Sequence, residues 1–538
     1  MRQTDDLDDA VNRLQADYDE TPYTSNSFPQ SAPGQLAAVA HVFGLQAPEV
    51  TGARVLEIGC ASGGNVLPFA AANPHAYAVG IDLSQVQIDQ ARALADGLGL
   101  RNIEFIAADI AQVDPALLGR FDFIIAHGVY SWVPPEVQDA LLAAVRSLLA
   151  PDGVGYVSYN VYPGWKSKEI VRDVMLLASR ADRTPEDKVH SAKEVVDFLE
   201  EVAPAEGVLA RVLAESRAFS EGFGDSYLLH DELETFNSPC YFHELVSHAG
   251  EHGLAFVAEA RPQTMIPANF GPRVAEFLAA KCGGDQVMTE QYLDFVTNRM
   301  FRESLLVHTE RATQINHTPG RSRYARLHLS AFLPPADEPT RIDYSRQDYL
   351  QPDGARLFTN DPGIKAGIDA LTDRWPWTIS YQELVDAVSA RLLAAGVAAS
   401  PGLAANIENL MATLVLQGGA SYRLEPLLPE PTRDPLRLSE PVRRMAELTR
   451  NQPDASTFNV WHETLILSPL DRHLFPLLDG TNDRSALIDA LVAVNRETPL
   501  QIDDGRRLSD EAELRAALAR YIDDLPQHLS EMKLARIR

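Results

Sequence analysis

Cysteine is scarce in this chain: Cys60, Cys240 and Cys282 are the whole complement among 538 residues. Thiols so far apart have neither the spacing of a zinc site nor the density of a disulfide framework, and they describe a reduced compartment. No apolar run approaches the roughly 20 residues that a membrane helix needs, so no membrane insertion is expected. The stretch Met1-Arg2-Gln3-Thr4-Asp5-Asp6 lacks the apolar core of a secretory signal, and the expected location is the cytoplasm. Positive charge is also in deficit, with 47 basic against 75 acidic side chains and a net charge of -28. Proteins that track nucleic-acid phosphates neutralise them with Lys and Arg, which argues against a nucleic-acid partner. A basic protein or peptide substrate suits the acidity better, although solubility explains it equally well. There is no internal repeat and no low-complexity tract. With 45% hydrophobic and 23% charged residues the chain is ordinary globular protein, long enough for roughly three domains.

What is present is one informative stretch, Arg54-Val55-Leu56-Glu57-Ile58-Gly59-Cys60-Ala61-Ser62-Gly63-Gly64-Asn65. An apolar run ends in an acid, turns through glycines and enters a helical pattern over 66–72, the way a strand delivers a nucleotide-like ligand to a helix N-terminus. Similar units follow. A strand over 77–81 ends in Asp82, and Ser84 is placed to cap the next helix. Strands over 103–107, 121–126 and 154–159 end near Asp109, at His127-Gly128 and at Asn160. Strands alternating with helices predict a parallel sheet covered on both faces. Residues 166–235 break the rhythm as a charged, mainly helical insert. An amphipathic helix over 241–252 and strands over 253–259 and 301–308 then complete seven strands and carry the domain to about residue 312. Ahead of it, residues 1–45 form an arm and a short helix. Prolines and aromatics between Tyr18 and Pro29 make the arm either a loop tacked to the surface or a lid over a ligand pocket.

Three acids distinguish the ligands such a turn can take. Gly59 and Gly63 let backbone approach a ligand, but Gly59, Ala61 and Gly64 also approximate a dinucleotide spacing with its central glycine lost. Asp82 is placed to hydrogen-bond ribose hydroxyls, which both cofactor classes present. Asp109 is placed to accept from an adenine amine. Glu57 stands where S-adenosylmethionine enzymes keep an acid near the amino acid part of the cofactor, whereas dinucleotide folds have an apolar residue there.

The combination resembles the class I S-adenosylmethionine-dependent methyltransferases, whose fold is an α/β, Rossmann-like seven-stranded sheet with its last strand antiparallel. Two segments narrow the likeness: Phe121-Asp122-Phe123-Ile124-Ile125-Ala126-His127-Gly128-Val129-Tyr130-Ser131-Trp132 and Tyr159-Asn160-Val161-Tyr162-Pro163-Gly164-Trp165-Lys166. They resemble bacterial methyltransferases with a methyltransferase regulatory domain, a group that includes the rickettsial protein lysine methyltransferases acting on outer-membrane protein. Segments around Tyr227 to Phe242 and Glu290 to Arg302 match the same group. So do Tyr18-Asp19 and Pro22-Tyr23 of the arm, although Asn26-Ser27 replaces the family's His-Pro. The resemblance implies S-adenosyl-L-methionine as cofactor and S-adenosyl-L-homocysteine as product. The expected cofactor residues are Tyr18, Tyr23, Glu57, Gly59, Cys60, Gly63, Asn65, Asp82, Leu83, Asp109, Ile110 and His127.

Methyl transfer from a sulfonium is an in-line displacement that calls for alignment and exclusion of water, and for no metal. A lysine nucleophile, with a reference pKa of about 10.4, must first lose a proton. An apolar pocket beside a positive charge depresses that pKa, so no dedicated base is required. The candidate catalytic residues lie past the ends of the fourth and fifth strands: His127, Tyr130, Asn160, Tyr162 and Trp165, with Trp132 and Tyr159 beside them. His127 is either a base or a packed strand-end histidine, and Tyr162 and Trp165 either cradle a cation or fill the core. The run Asn160-Val161-Tyr162-Pro163 mimics the loop with which adenine-N6 methyltransferases hold a base, but that loop follows strand four and this run follows strand five.

The expected layout is a methyltransferase domain over 46–312 with an insert and regulatory region over 166–252, and a proline-marked linker over 313–345. A winged-helix-like module over 346–426 follows, and a small α+β module over 442–538 ends the chain. The middle module shows no basic recognition face, which favours contact with protein. The expected function is methylation of lysine side chains of a protein substrate. A small-molecule methyltransferase and a cofactor-binding regulator without turnover stand as alternatives, a nicotinamide oxidoreductase as a distant one, and a homodimer is left open.

Overall fold

In a computed structural model the described residues are 15, 19, 23, 25–182, 184–220, 228–234, 236–352, 354–428, 435–500, 508 and 510–535. After a helix α1 (Pro33–Val42), strand-helix units build the sheet: β1 (Arg54–Ile58), α2 (Val66–Ala72), β2 (Tyr77–Asp82), α3 (Gln85–Leu98), β3 (Ile103–Ala107), β4 (Phe121–Ala126), α4 (Pro135–Leu148) and β5 (Leu149–Asn160). Val55, Leu56, Ala78, Phe123, Ile124 and Tyr156 are fully buried, as strands covered on both faces must be. The order is β3-β2-β1-β4-β5, followed by two later strands, so the chain reverses direction across the sheet between β1 and β4, where α/β sheets open a crevice at the strands' carboxyl ends. Ser84 caps α3 by accepting from the Gln87 amide, as its position predicts.

The two late strands β6 (Leu254–Glu259) and β7 (Phe301–His308) close the sheet, and β7 runs antiparallel to β5 with Asn160 opposite Phe301. A fully buried arginine holds this edge. Arg302 reaches Glu259 at 2.7 Å, Asp294 at 2.9 Å and Glu290 at 3.1 Å, and its guanidinium lies 4.0 Å from the Phe242 ring centroid. A buried cation is costly unless it is paired and hydrogen-bonded, and here three acids from β6 and from the helix preceding β7 meet that need. Burial pushes Glu290 up to about 7, while Arg302 draws Glu259 down.

The insert forms α5 (Gly164–Ala178), α6 (Pro185–Val202) and α7 (Val208–Ser220) around its own apolar cluster that includes Val171, Met175, Ala192 and Leu213. It leads to α8 (Phe242–Glu251), and α9 (Pro272–Cys282) and α10 (Gln286–Thr297) connect β6 to β7.

One expectation needs correction beyond the sheet. The stretch 313–345 is more than a linker, because it carries β8 (His328–Ser330), which pairs with β11 (Ile379–Ser380) and β12 (Ser421–Arg423). Leu327, Leu329 and Leu333 are fully buried there, an alternating apolar pattern that the flanking prolines obscure. The middle module then comprises that sheet, a hairpin of β9 (Gln347–Leu350) and β10 (Arg356–Thr359), and α11 (Pro362–Arg374), α12 (Tyr381–Ala394) and α13 (Leu403–Leu416). It shares one continuous core with the methyltransferase sheet.

The C-terminal module contains α14 (Glu440–Thr449), β13 (Ser456–Phe458), β14 (Thr464–Ile466), α15 (Arg484–Glu497) and α16 (Glu511–Glu531), and it has a separate core around Leu474, Phe475, Leu491, Leu518 and Leu525. Among the described residues no helix is long and apolar enough to cross a membrane.

Candidate active site

A cavity of about 550 Å³ opens at the carboxyl ends of β1, β2 and β4, within the size range of small-ligand sites. Its floor is the glycine turn. Gly59 has φ +74, and a Cβ there would lie 2.4 Å from Val129, so only glycine lets the turn pass under the β4 loop. Ala61 also has a positive φ, of 48, and its amide donates to Asp82 Oδ2 at 2.7 Å, which holds this uncommon conformation. The arm closes one side, since Tyr23, Ser25, Asn26 and Phe28 line the cavity. Ser25 Oγ accepts from the Gly64 amide at 2.7 Å, and a Cβ on Gly64 would come within 2.3 Å of the Ser25 carbonyl oxygen.

The three acids converge on this space. Glu57 is buried, and its Oε1 accepts from Asn65 Nδ2 at 2.7 Å, while its Oε2 has no hydrogen-bond partner. Burial, set against that one hydrogen bond, pushes the carboxyl up to about 8. An unpartnered buried carboxylate oxygen on a ligand cavity calls for a donor from the ligand, and an amino acid ammonium supplies one. Asp82 accepts from the Ala61 and Ser84 amides and is raised by burial, and its oxygens keep lone pairs for ribose hydroxyls. Asp109 caps the short helical turn that brings Ile110 to the cavity, by accepting from the Ala111 amide at 2.9 Å. Cys60, Asn65 and Leu83 also line the cavity, whereas Gly63 shapes the turn from behind, with Phe105 2.9 Å from where its Cβ would stand. Tyr18 lies outside the described residues. This set fits S-adenosylmethionine: an acid for the ammonium, one for the ribose and one for the adenine edge.

The opposite wall divides the candidate catalytic residues. His127, Asn160 and Trp165 line the cavity. His127 shares a hydrogen bond with the Tyr156 hydroxyl at 2.9 Å, stacks on Phe28 at 3.8 Å, and is pushed down to about 3 by burial. Its imidazole is therefore neutral and a weak proton acceptor. Asn160 donates to Asn237 Oδ1 at 3.0 Å. Trp165 meets Trp132 edge to face at 6.0 Å, and Lys168 Nζ lies 4.5 Å from the Trp165 ring while pairing with Glu232 at 2.9 Å.

Tyr130 and Tyr162 do not reach the cavity. The Tyr130 hydroxyl meets His248 Nδ1 at 2.7 Å, and Tyr162 donates to Glu169 at 2.7 Å with Lys166 Nζ 4.4 Å above its ring. Tyr130 opens a short 3-10 turn and Tyr162 lies in a turn, each just past a strand, where the strand's period no longer sets side-chain direction.

Several lining residues were not among the expected site residues: Lys168, Met300 and Phe301. The last two become foreseeable once β7 is known to run antiparallel to β5, because its first residue then stands opposite Asn160. His462 had no sequence signal at all. From the C-terminal module its Nε2 donates to Asn65 Oδ1 at 2.9 Å, and that oxygen also accepts from the Phe28 amide. Three donors on Oδ1, counting Ser31 Oγ, leave the Asn65 amide group one orientation, with Nδ2 toward Glu57.

Residues 55–153 match the methyltransferase domain family, 224–308 the predicted methyltransferase regulatory domain and 441–534 the PKMT C-terminal winged helix domain. The regulatory segment thus begins after most of the insert and includes both late strands. An uncharacterized protein of Rickettsia prowazekii, RP789, is 31% identical over 509 residues, 93% of this chain and 90% of its own. A second protein of that organism, RP028, is 35% identical over 233 residues, 43% of this chain and 93% of its own. The solved structure of PKMT2 from Rickettsia typhi in complex with AdoHcy superposes with a TM-score of 0.84 at 26% identity, covering 95% of this chain and 99% of that one. The chain belongs to the class I S-adenosylmethionine-dependent methyltransferases of this PKMT-like type, and its cofactor is S-adenosylmethionine.

Proposed function

We propose that the enzyme methylates lysine side chains of a protein substrate by direct in-line transfer. The observation that carries this reading is the likeness to PKMT2 along the whole chain, regulatory segment and C-terminal winged helix included, rather than over the methyltransferase sheet alone. When bound, S-adenosylmethionine supplies an activated methyl group on a cationic sulfur. Glu57, Asp82 and Asp109 hold its polar parts, and the rest of the wall serves the acceptor. Trp132, Trp165 and Phe301 exclude water and present aromatic surface to an entering cation. That low-dielectric wall lowers the pKa of a lysine amine, releasing its proton without a dedicated base. Asn160, fixed by Asn237, orients the amine through its amide oxygen. The net charge of -28 favours basic, lysine-rich polypeptides over acidic ones.

The reading is tested by incubating the enzyme with methyl-labelled cofactor and a cell lysate. Label recovered in the protein fraction supports it, and label recovered only in small molecules sinks it.

A further inference from the structure

A second cluster of ligand-type side chains lies outside the cavity, between α4 and α8. His248 is in the last turn of α8 and His252 is its C-cap, four residues on, so both imidazoles share one side of the helix. Asp139 faces them from α4. Its Oδ1 lies 2.8 Å from His248 Nε2 and 2.9 Å from His252 Nε2. The three donor atoms are all within 4.8 Å of one another. The Asp139 side chain is 63% exposed and each histidine 22%, so a hydrated ion reaches the group directly from solvent.

We propose that Asp139, His248 and His252 form a site for a divalent transition-metal ion of the zinc class, with water completing its coordination. Metal–ligand distances of about 2.0–2.2 Å in a tetrahedron separate donors by roughly 3.3 Å. The present 2.8 and 2.9 Å separations therefore open by only a few tenths of an ångström. Two imidazoles and one carboxylate select zinc, cobalt, nickel or copper over magnesium and calcium, which take all-oxygen sets.

The proton arrangement also works. Without an ion, each Nε2–H donates to Asp139, and His248 Nδ1 accepts from the buried Tyr130 hydroxyl at 2.7 Å. With an ion, each Nε2 lone pair is given to the metal and the hydrogen of each ring moves to Nδ1, where that of His248 is donated to the Tyr130 oxygen. A tyrosine hydroxyl serves in either direction, so the partner behind the ligand survives the exchange, as supporting groups around metal-bound histidines do. Tyr130 thereby has a task that its absence from the cavity leaves open. The site joins α4 of the methyltransferase sheet to α8 of the regulatory segment, and an ion there ties the two together. The cysteine spacing that argued against a thiolate zinc site says nothing about histidines one helical turn apart.

The test is a cobalt(II) titration of the tag-free full-length chain after chelator treatment, followed by its visible ligand-field absorption. The expected result is saturation at one equivalent, displacement by zinc, and loss of the band in both Asp139→Asn and His252→Ala. Both variants should still bind AdoHcy, which shows that they fold. Zinc should also raise the thermal midpoint of the unaltered chain and of neither variant. No saturable absorption, or equal absorption in the variants, overturns the proposal.

Discussion

Glu57 carries the most information of any single residue in the chain. Its free carboxylate oxygen and its pKa, pushed up to about 8 by burial, mean that at neutral pH the empty site holds a proton that a cationic ligand group must displace. The raised value makes the protonated form the stable one below about pH 8. AdoHcy affinity should therefore rise with pH toward about 8, near tenfold per unit at the lower end, and level off above it. Calorimetry in buffers of different ionisation enthalpy should show about one proton released per chain at pH 7, and none in Glu57→Gln. Equal release in both would assign the proton elsewhere. His127 makes the opposite prediction. A true general base contributes about 10²–10⁴-fold, whereas a neutral stacked wall residue does not. His127→Gln should lower kcat by less than about tenfold and leave the shape of the pH–rate profile unchanged.

The acids were legible because the carboxyl end of a strand has a fixed place at the sheet edge: Glu57 is next to last in β1, Asp82 is last in β2 and Asp109 lies two residues past β3. Tyr130 and Tyr162 were placed wrongly in the cavity because the backbone after a strand has no period from which to read direction. His462 was invisible because its partner, Asn65, lies 397 residues away.

At the scale of elements, the sheet is where sequence and structure agree most closely, since apolar runs bounded by glycine, proline and acids define strands locally. The run 301–308 was expected as a strand, and Phe301–His308 is one. The stretch 313–345 shows the opposite case: a three-residue strand is too short to announce itself, and β8 becomes a strand only by pairing with partners some 50 and 90 residues on. The described part of the arm lies over the cavity, where Phe28 stacks on His127 and Ser25 bonds to the glycine turn.

The arm is in turn held from the C-terminal module. Thr464 Oγ1 accepts from the Ser27 amide at 2.8 Å, and His462, at φ +65 and buried, donates to Asn65. Burial pushes His462 down to about 3, so it is a neutral donor at working pH. His462→Ala should leave the fold intact by circular dichroism and weaken AdoHcy binding by about 1–2 kcal/mol, because Asn65 loses one of the bonds that set its orientation. Unchanged affinity would make this contact structural only.

At the scale of the whole molecule, the sheet, the arm and the start of the insert line the cofactor site, and the C-terminal module braces it from outside through His462 and Thr464. The middle module extends the sheet's own core, and the C-terminal module, with its separate core, touches the site through one short hairpin. Length and composition predicted several modules, but not that the last of them brace the first. An enzyme so built, acidic overall and with an aromatic wall beside the cofactor site, suits a polypeptide acceptor rather than a nucleic acid.

The most direct measurement hydrolyses protein labelled by the enzyme with methyl-labelled S-adenosylmethionine and identifies the amino acid that carries the label. The account predicts methylated lysine, in amounts that fall to background when Asp82→Ala removes the acceptor of the ribose hydroxyls. Label on another residue type, or none in protein with the unaltered enzyme, would contradict it.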